Sequence, residues 1–342
     1  MNKYTKDYQI INKFINIEKK LNKFFFKTDF NFRKKVTDSF ISENLSKRKV
    51  YNKKINNVNF YFNLSSYITR SALLLHSKKP KHLFEPQTTR LLSLINNNPS
   101  SIIIAGAFIG DHACLLAKQN KKSTIYAFEP NKMNYKFLKK NKYSNKLDNL
   151  KISNKCLYKN DTTYLKLKML SKVNRDQAFI GSEREINTNK SNTVSIDNFI
   201  KKNNIINTKT ILADVEGNEF NILKGALKTL NKTCQNIIFE VHSQYLDFSN
   251  GLINLKVIKY LEKLNFKMYA IRDDWDNVGE YKKIELINLN KVYYKGPPHG
   301  FNILATRNKK ILTHKDIVIL NKTLSPKYLL YKKSYLYHPV IN

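Results

Sequence analysis

The sequence is poor in cysteine, and it lacks any long uninterrupted apolar run. Its 342 residues include only three cysteines, Cys114, Cys156 and Cys234, which lie far apart and form no CxxC pair. This excludes a disulfide scaffold and a cysteine-rich zinc site, and it favours a reducing compartment. No apolar run approaches the roughly 20 residues of a transmembrane helix, and no signal-peptide core follows Met1. The sequence therefore predicts a globular, cytoplasmic protein without a transmembrane segment.

Acidic residues and arginine are also scarce. The chain has 61 Lys and Arg against 26 Asp and Glu, a net charge of +35, but only 8 of the 61 are arginine. A basic surface can bind nucleic acid by releasing counterions. Dedicated phosphate and base readers, however, favour the bidentate guanidinium of arginine. The 44 asparagines accompany the lysines, as A/T-rich codons would produce, so codon bias is the simpler explanation of the charge.

The charge divides the chain into three regions. Residues 1–90 carry a net +14 and residues 309–342 a net +6, whereas the longer stretch 91–308 carries +15. Hydrophobic residues make up 42% of the chain, which is enough to bury a core. We therefore expect a basic N-terminal extension over 1–84, a catalytic or binding domain over 85–308, and a basic C-terminal tail over 309–342.

The hydrophobic pattern predicts α/β architecture in the central region. Short apolar runs, typical of strands buried on both faces, alternate with amphipathic helical segments. This alternation indicates a doubly wound, mostly parallel sheet, whose ligand site lies at the carboxyl ends of the strands. In the N-terminal extension we expect a helix over Ile10–Phe26 and a strand over Val58–Phe62. Residues 171–191 are predicted to form a long loop or lid, and residues 273–300 are predicted to be rich in loops. The strands are expected at 101–105, 124–128, 150–153, 210–213, 236–241, 266–271 and 301–306, and the helices at 85–95, 111–119, 131–142, 218–230 and 252–264.

Two segments after the first two strands have the chemistry of a nucleotide-type site. Gly106-Ala107-Phe108-Ile109-Gly110 opens a helix, where glycine permits a tight turn and the helix N-terminus favours negative charge. Glu129 follows the second strand, where an acid can accept hydrogen bonds from a ribose diol. The alternative for Glu129 is a helix-start charge beside Pro130.

Acidic residues also follow the fourth and fifth predicted strands. Asp214, Glu216 and Glu219 come directly after Ala213, and Glu240 and His242 end the fifth strand on one side. An acid and a histidine near Asp214 could accept a hydroxyl proton or hold a hard cation. Glu216 and Glu219 could equally be helix-start charges, and a lone histidine is more often structural. No residue pattern supports a dedicated metal site, so a divalent cation is allowed by the chemistry but not indicated.

Five ordered motifs resemble the FkbM family of S-adenosylmethionine-dependent methyltransferases. The acidic block that leads into Leu223-Lys224-Gly225-Ala226 is the most distinctive of them. The resemblance covers roughly residues 85–306. The motifs are GAFIGDH (106–112), YAFEPN (126–131), TVSID (193–197), DVEGNEFNILKGA (214–226) and IFEVH (238–242).

This resemblance implies a class I Rossmann-like methyltransferase with a seven-stranded sheet, acting on a hydroxyl of a sugar or other small metabolite. S-adenosylmethionine would be the cofactor. The implied catalytic residues are Asp214, beside the transferred methyl, with His242 as base and Glu240 as a further candidate. The implied cofactor contacts are Gly106, Ala107 and Gly110 at the methionine end, Glu129 at the ribose, Asn154 at the adenine, and Glu85.

One position departs from the family pattern. The first strand of the family normally ends in an acidic residue two positions before the first glycine, and here that residue is Ile104. Asp111, in the following turn, is a candidate substitute. Two alternatives therefore stay open beside the small-molecule O-methyltransferase. One is an RNA-directed methyltransferase that holds nucleic acid through the basic flanks, and the other is a catalytically impaired interaction module.

Overall fold

The computed structural model describes residues 50–64, 84–161, 165–169, 178–180, 189–273, 283–294 and 300–327, with single positions 9, 10, 13, 17 and 69. The predicted helix Ile10–Phe26 lies almost entirely outside the described residues. Along the part of the chain that is described, no helix combines the length and apolarity needed to cross a membrane.

A nine-stranded sheet forms the centre of the molecule. Its order is β16-β14-β13-β15-β12-β11-β3-β4-β5, with the five strands from β12 to β5 parallel and β15 antiparallel to both its neighbours. The predicted doubly wound, mostly parallel, Rossmann-like fold is confirmed, and the sheet has two strands more than the seven expected. The strands are β3 (Ser101–Ala105), β4 (Thr124–Phe128), β5 (Leu150–Ser153), β11 (Thr208–Ala213), β12 (Asn236–His242), β13 (Lys267–Arg272), β14 (Ile284–Asn288), β15 (Gly300–Thr306) and β16 (Ile317–Leu320).

Helices cover both faces of this sheet and divide the core in two. Alternate residues of each strand enter opposite clusters, so Ile102 and Ile104 join one cluster while Ile103 and Ala105 join the other. The predicted helix 218–230 is two short helices, separated by Gly225 and Ala226. The helices are α1 (Pro86–Ile95), α2 (Asp111–Gln119), α3 (Lys132–Ser144), α4 (Ile196–Lys202), α5 (Glu219–Lys224), α6 (Leu227–Lys232), α7 (Lys256–Lys263) and α8 (Lys309–Leu312).

A hairpin from the N-terminal region packs on the central sheet's helices. Strands β1 (Tyr51–Ile55) and β2 (Val58–Phe62) are antiparallel, and the confirmed strand Val58–Phe62 is the second of them. Asn141 lies in α3, and Asn145 caps its C-terminus. The side-chain oxygen of Asn145 accepts the backbone amide of Asn59 (2.7 Å), and that of Asn141 accepts the amide of Tyr61 (2.6 Å). The apolar side chains of the hairpin belong to the same buried cluster as the central strands.

Two segments predicted to be rich in loops contain strands, and so does the basic tail. Within 171–191 the structure has β8 (Ala178–Ile180) and β9 (Asn189–Ser191), which flank β7 (Leu165–Met169) in a three-stranded sheet. Strand β14 lies within 273–300, and the tail supplies β16 to the central sheet. A parallel pair, β6 (Cys156–Leu157) and β10 (Thr193–Val194), completes the strands of the described chain.

Candidate active site

The glycine turn after β3 is locked against both neighbouring strands. The amides of Gly106 and Ala107 donate to the carbonyl of Phe128 over 3.0 and 2.9 Å. Gly106 has a φ of +78°, and a Cβ there would collide with the carbonyl oxygen of Asp214. Glycine is therefore required by both backbone conformation and space. Because their amides are engaged, Gly106 and Ala107 shape the site rather than donate hydrogen bonds to a ligand. Gly110 caps α2.

Glu129 closes the same turn from the end of β4. Its Oε2 accepts the amide of Phe108 and its Oε1 accepts the amide of Asn131, both at 2.8 Å. Burial raises the pKa of Glu129 to about 8, although these two amides act in the opposite direction. Asn154 lies beside it, and its Nδ2 donates to the carbonyls of Glu129 (2.7 Å) and Pro130 (3.2 Å). The predicted ribose and adenine contacts are thus adjacent.

Glu85 lies at the start of α1, buried, and its carboxylate is fully engaged. Its Oε1 is 3.1 Å from Nζ of Lys327, Oε2 accepts from Nδ2 of Asn302, and Nε2 of His112 is 3.8 Å from Oε2. Burial would raise its pKa, but Lys327 and His112 outweigh burial and lower it to about 2. A direct contact between Glu85 and a cofactor would therefore have to replace one of these partners.

His112 links this ion pair to the first turn of α2. Its Nδ1 is 2.9 Å from the hydroxyl of Thr89, and its Nε2 is 3.8 Å from Oδ2 of Asp111. Burial opposes protonation, but the carboxylates of Asp111, Glu85 and Asp214 outweigh it and raise the His112 pKa to about 9. The charge of Asp111, which we considered as a substitute for the missing strand-end acid, thus lies beside an imidazolium.

Asp273 and Lys327 hold the start of α1 in place. The two carboxylate oxygens of Asp273 accept the amides of Gln87 (2.9 Å) and Thr88 (2.7 Å), the first donors of the helix. The amide of Asp273 in turn donates to Pro326, which places the buried Lys327 next to it. Sequence reasoning missed both residues. Asp273 follows an apolar strand, which was a usable signal, whereas nothing in the sequence around Lys327 indicates burial.

The loop after β11 is closed by its own acidic residue. Oε1 of Glu219 accepts the amides of Val215 (3.1 Å) and Gly217 (3.2 Å), and Glu216 adopts a φ of +55°. Burial raises the pKa of Glu219 to about 7. Glu219 is therefore a loop-closing residue that starts α5, which is one of the two roles considered from sequence.

The carboxylates of Asp214 and Glu240 lie at the carboxyl edge of the sheet and are open to a ligand. They end adjacent parallel strands and are both partly exposed. Among the described residues, neither carboxylate has a hydrogen-bond partner. The pKa values of both lie well above the ordinary range, chiefly because of burial. The next largest contributions are the charge of Glu85 for Asp214 and the charge of Asp214 for Glu240. The charge of His112 offsets the crowding of the two carboxylates only in part, so this edge favours a cation.

His242 lies beside Glu240, but one of its ring nitrogens is in use. Nδ1 accepts the amide of Gln244 at 3.1 Å, so the neutral ring carries its proton on Nε2. Opposite them on β15 stands Gly300, where a Cβ would meet the His242 ring and lie 2.5 Å from Oε1 of Glu240. The structure therefore brings the three predicted catalytic residues to one edge. To accept a proton at Nδ1, His242 would have to release the amide of Gln244.

Ile104 contributes no polar group to this edge. It is 1% exposed and pairs with Leu212 on one side and Ala127 on the other. The acid expected at this position is absent, and apolar packing occupies its place. Within the described residues, no group of three or more His, Cys, Asp or Glu side chains has an arrangement that could hold a metal ion.

One family model and several solved structures match this chain. Residues 105–268 match the model of the methyltransferase FkbM domain. No curated protein sequence matches the chain. Three solved structures cover most of it at low identity. A precorrin-6y C5,15-methyltransferase from Geobacter metallireducens is 12% identical, with 68% of this chain and 91% of that chain covered and a TM-score of 0.35.

The other two solved structures have similarly low sequence identities and TM-scores. An rRNA methylase from Streptococcus thermophilus is 10% identical over 64% of this chain and 93% of its own, with a TM-score of 0.37. TYW2 from M. jannaschii, solved in complex with AdoMet, is 15% identical over 76% and 85%, with a TM-score of 0.36. Similarity at this level identifies neither a substrate nor a partner. The family match itself covers the glycine turn, Glu129, Asp214 and Glu240, and it identifies residues 105–268 of this chain as similar to the methyltransferase FkbM domain.

Proposed function

We propose that the protein is an S-adenosylmethionine-dependent O-methyltransferase that acts on a hydroxyl of a sugar or another small hydroxylated metabolite. The observation that carries the proposal is the pair of open carboxylates, Asp214 and Glu240, at the carboxyl ends of two adjacent strands of an FkbM domain. In a chain with a net charge of +35, acidic side chains converge at this one edge. A cationic ligand is what such an edge would stabilise.

The residues present fit the proposed cofactor, which supplies a methyl group on a positively charged sulfur. Glu129 would accept hydrogen bonds from the ribose diol, and Asn154 would border the adenine. The turn 106–110 would bound the methionine end, and Asp214 with Glu240 would stabilise the positive charge. Glu85 would act indirectly, by fixing His112 and the start of α1 at the border of the site.

We propose Glu240 as the group that accepts the proton of the acceptor hydroxyl, with Asp214 positioning that hydroxyl. The raised pKa of Glu240 makes it a stronger base than an ordinary carboxylate. His242, our expectation from sequence, has its Nδ1 engaged by Gln244. Its proposed role is therefore to border the acceptor beside Gly300. Alignment of the acceptor oxygen by these residues would supply much of the rate.

The charge at this edge favours a neutral acceptor over nucleic acid. Asp214, Glu216 and Glu240 surround the position where an acceptor would enter, and phosphates brought there would be repelled. The RNA-directed alternative would need basic residues at the same edge to hold the phosphates. A cytoplasmic location also remains part of the proposal.

Binding of S-adenosylmethionine and its demethylated product separates the charge-based proposal from general affinity for the fold. The product is similar in shape but lacks the sulfonium charge. We expect Asp214→Asn and Glu240→Gln each to weaken cofactor binding by roughly tenfold, and product binding by much less. The exposed Glu262→Gln is the matched control. Calorimetry measures all four proteins, and failure of the wild type to bind at about 1 mM cofactor would favour the interaction module instead.

Turnover tests the proposed roles. With labelled cofactor and a panel of glycans and small alcohols, we expect Glu240→Gln to lower kcat by about 100-fold or more. His242→Ala should lower it far less. Full turnover in Glu240→Gln would refute the assignment of the base.

A further inference from the structure

A second concave site lies at the opposite edge of the sheet. It is a cavity of about 460 Å³ between the beginnings of β11 and β12, the end of α6, and the segment that joins β15 to α8. This edge is the amino end of the parallel strands. The lining residues are Lys209, Lys232, Thr233, Cys234, Gln235, Arg307, Asn308, Lys309 and Lys310.

The lining is strongly cationic. It contains four lysines and one arginine, and no carboxylate is among the residues that form it. Lys232, Lys309 and Lys310 are exposed and Lys209 is partly buried, so their ammonium groups can reach the cavity. Thr233 and Gln235 add a hydroxyl and an amide as neutral donors. The site thus offers several positive charges, with hydrogen-bond donors between them.

Arg307 gives the cavity a rigid, charged wall. Its guanidinium donates to the carbonyls of Leu230 (2.6 Å) and Leu264 (2.9 Å from Nε), and it lies 4.1 Å above the ring of Phe266. These carbonyls are neutral, and among the described residues no carboxylate forms an ion pair with Arg307, so its positive charge is not compensated there. The two carbonyls belong to the ends of α6 and α7, which fixes these helices around the cavity.

We propose that this cavity binds a small anion carrying two or more phosphate groups, such as pyrophosphate or a free nucleotide. Its volume lies in the range of small-molecule sites. A polyphosphate pairs with several lysines at once, whereas a single carboxylate would leave most of them unpaired. The cavity is separated from Asp214 and Glu240 by the length of β11 and β12, about 20 Å. It is therefore a separate site, and the proposal does not depend on the methyltransferase reaction.

Calorimetry with pyrophosphate at physiological ionic strength tests the proposal. We expect saturable 1:1 binding to the wild-type chain. The double variant Lys232→Gln/Lys309→Gln should bind at least roughly tenfold more weakly, because two of the paired charges are removed. The matched control is Lys136→Gln/Lys139→Gln, which removes the same charge from exposed positions of α3. It should stay within about twofold of the wild type.

Three results would overturn the proposal. The first is no heat of binding at about 1 mM pyrophosphate. The second is an equal loss of affinity in both double variants, since that would mean that the anion responds to the general charge of the chain. A single-stranded uridine oligonucleotide is measured in parallel. If it bound more tightly than pyrophosphate and was equally weakened in both variants, the lysines would form an extended nucleic-acid surface rather than this site. Circular dichroism checks that all variants are folded.

Discussion

Replacing Gly106 by alanine tests how the turn after β3 is held. Alanine at a φ of +78° costs about 1–2 kcal/mol of backbone strain. Its Cβ would also collide with the carbonyl oxygen of Asp214 and lie 2.9 Å from the carbonyl carbon. These are backbone atoms of a buried strand end, so relief requires movement of the strand, at about 1–3 kcal/mol. We expect Gly106→Ala to lower the free energy of unfolding by about 2–5 kcal/mol in urea denaturation followed by circular dichroism.

Gly251→Ala separates strain from collision. Gly251 has nearly the same φ, +83°, but the nearest atom to an added Cβ is the hydroxyl of Tyr294 at 3.7 Å, an ordinary contact. We expect this variant to lose only the backbone strain, about 1–3 kcal/mol for a φ of +83° and a ψ of +153°. Equal losses in the two variants would refute the reasoning, since the collision with Asp214 would then have no cost. Because Gly106→Ala displaces the backbone of Asp214, it should also weaken cofactor binding, whereas Gly251→Ala should not.

Three further perturbations address the buried charges. Lys327→Met removes the nearer of the two cations beside the buried carboxylate of Glu85, and we expect a loss of about 3–5 kcal/mol in urea denaturation. Ile104→Asp restores the acid typical of the family to a site with apolar neighbours. It should lower the melting temperature sharply rather than raise activity. Glu219, with a pKa raised to about 7, keeps a proton in the folded state that the unfolded chain releases above pH 4.5. Its contribution to stability is therefore full below that pH and is lost as pH rises through 7. Glu219→Gln should remove about 3 kcal/mol of this pH dependence, measured as the free energy of unfolding against pH.

Each of these variants has a matched control in which the same substitution is made at an exposed position. Lys322→Met and Ile206→Asp should change stability by less than about 0.5 kcal/mol, and Ile206 is 82% exposed. Glu262→Gln should leave the pH dependence of stability unchanged. If Lys327→Met were as mild as Lys322→Met, Glu85 would have to be neutral or solvated. If Glu219→Gln and Glu262→Gln had the same pH profile, burial would not be holding the proton of Glu219.

Strongly patterned segments made the centre of the fold predictable. Short, largely apolar runs located β3, β4, β11 and β12 to within about two residues, because strands buried on both faces need them. Strand β14 escaped because its five residues lie in a polar surrounding, and β16 because the lysines around it favoured a solvated tail. The strands within 171–191, β8 and β9, pair only with β7, and at three residues each they are too short to stand out from a loop.

The candidate site was predictable where its residues follow strands. The topology that brings Glu129, Asp214 and Glu240 to one edge follows from the alternation of strands and helices. What holds those residues depends on pairings that no local pattern encodes. The occupied ring nitrogen of His242 is one such pairing, and the contact of Glu85 with Lys327 is another. These pairings decide which side chains are open to a ligand. The roles of the site residues therefore follow only from the three-dimensional structure.

The ion pair between Glu85 and Lys327 has a consequence for how the molecule assembles. Glu85 and Lys327 are 242 positions apart in the chain, so their contact closes all of the sequence between them into one loop. Closing such a loop is entropically costly until the intervening strands are paired. We therefore expect the start of α1 to dock late in folding, after the sheet has formed. During synthesis, a ribosome must translate past residue 327 before Glu85 can be buried with its cation. Until then, the edge that later holds the open carboxylates stays hydrated.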